Sequence, residues 1–348
     1  MDRYIGIDAH ATSCTLAVVG PSGRRLSQQV VETNASALVE AVRSVPRPRH
    51  LCLEEGTHSA WLHEILSPHV DELAVVSITE SKGPKSDQRD AFARAEQLRI
   101  GTFDKLVFKA PTQFALLRQL AGTYDALARD VVRTQCRLKA LYQSRGITTT
   151  GKTVYGTAQR DEWLERLPVS HRPSAELLYC QLDAAQALKK SASKQLIAES
   201  HRHPISEVLE TCPGLAEVRV ALLIPVVVTP HRFRTARQFW SYSGLGIVMR
   251  SSSDWTRDGD RWVRAQVNKT RGLSRSFNHT LKYVFKGAST TIVTKYPGHP
   301  LHQHYERMLS AGTKPNLAKL TLARKIAATA LVMWKREEKY DPERHHTS

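Results

Sequence analysis

The stretch Tyr4-Ile5-Gly6-Ile7-Asp8-Ala9-His10 is an apolar run that meets a carboxylate. Its first four residues read as a β-strand. Strand alternation puts Ile5 and Ile7 on one face and Asp8 on the other, where it can look into a cleft beside the sheet. A lone acid in such a run is costly to desolvate. A hard divalent cation relieves that cost, because it prefers oxygen ligands. Working outward, Thr15 to Val19 reads as a second strand and Gly20-Pro21-Ser22-Gly23 as a turn. Leu26 to Val31 reads as a third strand, and the short connections predict an antiparallel meander.

Asn34 can cap a helix through about Val42, and His50-Leu51-Cys52-Leu53-Glu54 reads as a strand ending in a second acid. A helix is expected near Ser59 to Leu66 and a strand over Leu73 to Ile78. Ser86 can cap a helix from Asp87 to about Arg99. The order β-β-β-α-β-α-β-α is that of an α/β ribonuclease-H-like domain, expected over residues 1–110. Residues 111–204 read as a helical coiled-coil middle. There Leu117, Leu120, Tyr124, Leu127, Val131, Leu138 and Leu141 fall on a and d positions, with Thr134 as a weak d. A partner helix is expected from Pro173 to about Ser200. Dimerisation or backbone contact is one role for this arm, and packing against the first domain is the other. Residues 205–340 are expected to form a mainly α C-terminal domain, with helices at Thr235 to Tyr242, Leu273 to Lys286 and Leu317 to Lys335. The Cys212-Pro213-Gly214-Leu215 turn could offer N–H groups to phosphate or be an ordinary loop. Residues 341–348 read as a polar tail.

The 348 residues carry a formal charge of +17. Pro230 to Tyr340 holds 21 Lys and Arg against 6 acids, which is +15 of that total. A polyanion is therefore the first partner to expect, and nucleic acid is the usual one. The five cysteines are scattered with no CxxC pair, which argues against a disulfide framework or a zinc site and suits a reducing cytosol. No signal peptide is apparent. The longest apolar run, Val220 to Val228, is too short to span a bilayer. The expectation is a cytoplasmic, nucleoid-associated protein with no membrane partner.

Asp8, Glu54, Asp87 and Asp90 are the candidate metal ligands. Asp87 and Asp90 are three apart on a helix and share a face. Together the four acids could hold two Mg²⁺ ions roughly 3.5–4 Å apart, the spacing of two-metal phosphoryl-transfer sites. Asp87 and Asp90 could instead serve the helix dipole, and Glu55 could replace Glu54. Ser251-Ser252-Ser253 reads as a polar turn or as a nucleophile that needs activation. Arg250 and Arg257 could stabilise charge on a phosphate beside it. The candidate nucleic-acid contacts are Arg250, Arg257, Arg261, Arg264, Lys269, Arg271 and Arg275. Trp240, Trp255 and Trp262 lie among them and could stack on bases or pack in a core. His299, His302 and His304 could bind zinc or lie in a loop.

Five elements carry a resemblance over nearly the whole chain. They are Gly6-Ile7-Asp8-Ala9-His10, Leu53-Glu54-Glu55-Gly56-Thr57, Lys85-Ser86-Asp87-Gln88-Arg89-Asp90-Ala91, Pro213-Gly214, and Tyr242-Ser243-Gly244-Leu245 followed by the serine run. Their order and spacing resemble the DEDD transposases of the insertion-sequence-110 type, whose first domain is RuvC-like. The resemblance implies a metal tetrad of Asp8, Glu54, Asp87 and Asp90, and a nucleophile at Ser252. It further implies a DNA transposase or recombinase that exchanges strands through a phosphoserine. A structured noncoding guide RNA and a homo-oligomer, dimer or tetramer, are also implied. Two departures bear on the serine: Ile247 stands where many members have Pro, and Ser253 where many have Gly. The choice among Ser251, Ser252 and Ser253 stays open, as does Glu54 against Glu55. A RuvC-like structure-specific endonuclease using metal-activated water is the alternative. An actin-like ATPase also begins Gly-Ile-Asp, but the residues after Asp8 lack the glycines of a phosphate loop.

Overall fold

The computed structural model describes residues 1–77, 86–102, 114–249, 255–264 and 270–342. The chain divides into two compact units, Met1–Thr112 and Gln113–Ser348.

In the first unit, β1 (Arg3–Ala9), β2 (Ser13–Val19) and β3 (Arg25–Glu32) form the antiparallel meander that the turn residues predict. β4 (Arg49–Glu54) and β5 (Glu72–Val76) add in parallel, giving the strand order β3-β2-β1-β4-β5. Helices α1 (Ala35–Arg43) and α2 (Ser59–Leu66) cover one face. Ile5, Ile7, Leu16, Leu51 and Leu53 are buried there with Leu38, Val42, Leu62 and Leu66. Asn34 caps α1 by accepting from the Ala37 N–H at 2.8 Å. The far end of α1 is closed by Arg49, a buried residue whose Nη1 donates to the carbonyls of Val42, Arg43 and Val45. The guanidinium thus adds partners to carbonyls at a helix end, where backbone donors run short, although the Val42 carbonyl also accepts from the Val45 N–H at 3.2 Å.

Helix α3 (Asp87–Ile100) covers the opposite face. Ser86 caps it, and Ala91, Phe92 and Ala95 are buried against Ala17 and Val19. The helix lies so close to β1 that a Cβ at Gly6 would stand 1.9 Å from the Ala91 carbonyl oxygen and 2.5 Å from the Ala95 nitrogen. The two alanines and the glycine are therefore one packing device: no larger residue fits between the helix and strand backbones.

The second unit is built on α4 (Ala115–Gln143) and α6 (Arg172–Ser200). They run antiparallel, since the Tyr142 and Tyr179 hydroxyls meet at 3.1 Å while Lys189 lies over Tyr124. Leu117, Val131, Thr134 and Leu138 of the expected apolar stripe are buried, and Leu120, Tyr124 and Leu127 are half-buried. The link between them holds α5 (Arg160–Glu165), where Arg160 makes a two-pronged contact with Asp183, 2.8 Å on each arm.

After α7 (Ile205–Glu210), α8 (Glu217–Val227) is the buried centre of the remaining helices, with Val220 to Val227 largely inaccessible. They are α9 (Ala236–Tyr242), α10 (His279–Lys295), α11 (Pro300–Ser310) and α12 (Pro315–Arg336). The helix expected at Leu273 to Lys286 starts later, at His279, because Asn278 is its cap, accepting from the Leu281 N–H at 3.0 Å. Leu273 instead ends a short strand. Two small antiparallel pairs interrupt the helices: β6 (Ile247–Met249) with β9 (Thr270–Leu273), and β7 (Trp255–Asp258) with β8 (Arg261–Arg264). The Pro213-Gly214 turn is packed against α10, where a Cβ at Gly214 would lie 2.7 Å from the Ala288 carbonyl oxygen.

Gly6→Ala should be expensive, because the obstacle is the backbone of α3 and not a side chain that can turn away. We expect a loss of about 3 kcal/mol, at the upper end for overpacking, read as a lower urea midpoint for the first unit.

Candidate functional site

Asp8 is the penultimate residue of β1 and lies on the Gly6 face, beneath α3. In the parallel ladder Ile7 pairs with Leu53, so the residues that follow, Asp8 and Glu54, stand beside each other where adjacent strands end. The first turn of α3 supplies Asp87 and Asp90. Gly6 thus fixes how near those two acids come to Asp8.

An imidazole joins these acids. His10 Nε2 is 3.3 Å from Asp8 Oδ2 and 3.4 Å from Asp87 Oδ1. Its backbone is fixed at both ends: the His10 N–H donates to the Ser13 carbonyl, and its own carbonyl accepts from Thr33 Oγ1. One donor atom each from Asp8, His10 and Asp87 lies within 4.8 Å of the others. Burial pushes the Asp8 carboxyl above its ordinary pKa; His10 opposes this, while the charges of Asp87 and Asp90 add to it. Two carboxylates and an imidazole form a donor set suited to a hard or borderline divalent cation.

Glu54 has a different setting. Arg94 Nη2 lies 2.9 Å from Glu54 Oε1, and Arg94 is itself buried. Arg94 follows Asp90 by four residues on α3, so one helix carries both the acids beside Asp8 and the cation beside Glu54. The structure therefore gathers Asp8 and Asp87 directly, brings Asp90 close enough to act on Asp8, and places Glu54 next to Asp8 with its own counter-charge. Sequence reasoning missed His10 and Arg94. The signals were present as Asp8-x-His10 and Asp87-x-x-Asp90-x-x-x-Arg94.

Ser251, Ser252, Ser253, Arg250 and Lys269 lie outside the described residues. Arg264 and Arg271 occupy β8 and β9. Arg257, Arg261 and Arg275 are exposed. Among the described residues the other group able to converge on a cation is His201, Glu210 and Glu217. There Glu210 Oε1 already meets His201 at 2.9 Å and accepts from Ser206. His299, His302 and His304 do not converge: His299 caps α11 through Nδ1, and His302 faces Glu306 at 3.8 Å. Among the described residues no helix is long and apolar enough to cross a membrane.

Two family models match the chain. A DEDD transposase model of the IS110 type spans residues 5–144. The model for the transposase IS116/IS110/IS902 family spans residues 206–292. Together they account for nearly two thirds of the chain, the acids in the first match and the serine run in the second. No curated protein matches it.

The raised Asp8 pKa has a stability consequence. A carboxyl raised in the folded state contributes stability that is complete below its unfolded pKa and is lost as pH rises through the folded value. At neutral pH without metal, ionised Asp8 therefore destabilises the fold. In a chelating buffer at pH 7.5, about three units above the ordinary carboxyl range, Asp8→Asn should raise the melting temperature by roughly 2–5 °C. Added Mg²⁺ or Mn²⁺ should stabilise the parent protein and not the variant. Equal metal stabilisation of both would contradict the assigned ligand.

Proposed function

The chain belongs to the IS110-type insertion-sequence transposases, enzymes that act on DNA, and from that premise we propose a serine recombinase with a carboxylate-held Mg²⁺ site. On this reading the first unit is a ribonuclease-H-like, RuvC-like DEDD domain, α4 and α6 form a coiled-coil arm, and the basic segment carries the nucleophile. The observation that carries the reading is the convergence of Asp8 and His10 with Asp87 at the start of a helix held down at Gly6.

Asp8 and Asp87 bind the metal, Asp90 adds charge to the same corner, and Glu54 stands beside Asp8 with Arg94 balancing it. Mg²⁺, when bound there, supplies the positive charge that a phosphodiester in flight requires. Ser252 Oγ forms a bond to phosphorus as the bridging P–O bond breaks, and its proton leaves with the departing DNA oxygen. Attack by the hydroxyl of a second strand reverses the step, frees the serine and joins new partners. Arg250 and Arg257 offset charge on the transferring phosphate. The remaining cations, Arg261, Arg264, Lys269, Arg271 and Arg275, give salt-dependent backbone affinity. A structured noncoding RNA of the element selects the sites, and a dimer or tetramer brings acids and serines together.

A second reading, a structure-specific endonuclease using water, is favoured by one feature: Asp8, His10 and Asp87 assemble within the first unit alone. Recombination of donor and target plasmids, with and without the element's RNA, separates the two. Asp8→Ala and Ser252→Ala should each lower recombination by at least on the order of a thousand-fold while circular dichroism is unchanged. The parent protein should leave a covalent protein–DNA adduct that Ser252→Ala cannot form. Cleavage with no adduct, retained by Ser252→Ala, would favour water.

A further inference from the structure

The ribbon formed by β7 and β8 is unlike the rest of the molecule. The chain has six tryptophans. Trp163 and Trp334 are buried, Trp61 is half-buried, and Trp240 is half-buried with its Nε1 donating to the Arg324 carbonyl at 2.9 Å. Trp255 and Trp262, both on the ribbon, are 56% and 68% exposed. Single exposed apolar residues are ordinary, but two large aromatic side chains left in water on one short element are not.

The register arranges them. Arg257 stands opposite Trp262, and Trp255 precedes Arg257 by two residues. By the two-residue period of a strand, Trp255, Arg257 and Trp262 share one face. The two indoles are diagonal neighbours, a relation that spans roughly 7–8 Å in an antiparallel pair. That spacing is short enough for one strand of nucleic acid to meet both rings. Arg257 belongs to the same face, with its charge shared with Asp260 at the turn. The acids of the ribbon are set at its turn end, with Asp258 opposite Arg261 and Asp260 beside Arg257 at 3.4 Å.

We propose that this face is a stacking platform for unpaired bases of single-stranded DNA. DNA is the polyanion on which this family acts, and the ribbon lies in the segment that holds most of the positive charge. Aromatic rings interleaved with cations are the usual means of holding a strand without reading its sequence. Trp255 follows Ser252 by three residues in the sequence. On the serine reading above, on which this placement rests, the captured bases lie close to the scissile phosphate. The platform would hold them unstacked while the strand is severed.

The test uses the full-length chain at about 0.15 M salt, with a fluorescently labelled oligothymidine, a mixed-sequence duplex of equal length and oligouridine as probes. The double variant Trp255→Ala/Trp262→Ala should bind oligothymidine about 5- to 150-fold more weakly, the range for loss of one stacked base. Its duplex affinity should stay within about two-fold of the parent. Trp255→Phe/Trp262→Phe should recover much of the loss. Oligothymidine should quench the tryptophan fluorescence of the parent and not of the alanine variant. Unchanged oligothymidine binding, equal loss on the duplex, or tighter binding of oligouridine would overturn the proposal. A change in sedimenting mass would also overturn it, by making the face a contact between protein copies. None of these readouts needs the phosphoserine step, so the platform and the serine reading can fail separately.

Discussion

The seating of α3 on β1 at Gly6 determines the geometry of the first unit. A helix backbone reaches contact with a strand backbone only where side chains are absent or nearly so, and Gly6, Ala91 and Ala95 meet that condition. The same seating sets Asp87 and Asp90 at the helix start beside Asp8. It also screens Asp8 from water, which drives its carboxyl upward. The positive end of the α3 dipole favours Asp87 and Asp90 there, while among the described residues His10 is the attractive neighbour of Asp8. Packing thus creates a position that is short of positive charge by construction, on elements held too firmly to relax away from one another.

In the second unit many cations are spent on structure. Arg219 donates to the Gly214 carbonyl, and Arg232 to those of Val226 and Val227. Arg324 donates to the Leu245 carbonyl, and Lys335 to that of Phe233. These side chains close helix ends and turns, as Arg49 does in the first unit. Part of the positive charge therefore sits on side chains tied into the fold, where it acts at long range and not by direct contact. Burial separates the two populations: Arg257, Arg261 and Arg275 are exposed, whereas Arg324 is half-buried and its pKa is lowered by desolvation.

Legibility followed the strength of local signals. The meander was readable because Gly20 to Gly23 gives a turn and the flanking runs alternate. The starts of α1 and α3 were readable because Asn34 and Ser86 are caps. Helices α4 and α6 were readable because a stripe repeats over many turns. The β7–β8 ribbon was missed. Its strands have only four residues each, and Trp and Arg alternate where a core-facing strand would alternate apolar with polar. The Gly259-Asp260 pair that makes its two-residue turn, with Gly259 at φ +59°, was the available clue. In the site, Asp8 and Glu54 were visible as charges in apolar runs, and Asp87 and Asp90 as a pair three residues apart. His10 and Arg94 were not, because their roles come from the approach of α3 to the sheet, which is a tertiary fact.

The uneven charge of the chain follows from its two tasks. A carboxylate cluster repels a phosphodiester, so a unit that gathers Asp8, Asp87 and Asp90 cannot also be the source of affinity for DNA. Attraction must come from elsewhere in the chain, and it must be strong enough to hold a polyanion against those acids until a cation offsets them. The segment that carries +15 can do this at long range. It does so without base discrimination, since phosphate contacts fix position and not sequence. A ribbon with exposed indoles adds short-range, salt-insensitive contact to that attraction. Separating the acids from the cations along the chain also keeps Lys and Arg from collapsing onto the carboxylates. Where one cation does reach an acid, as Arg94 reaches Glu54, it comes from α3 itself and is fixed in place by packing.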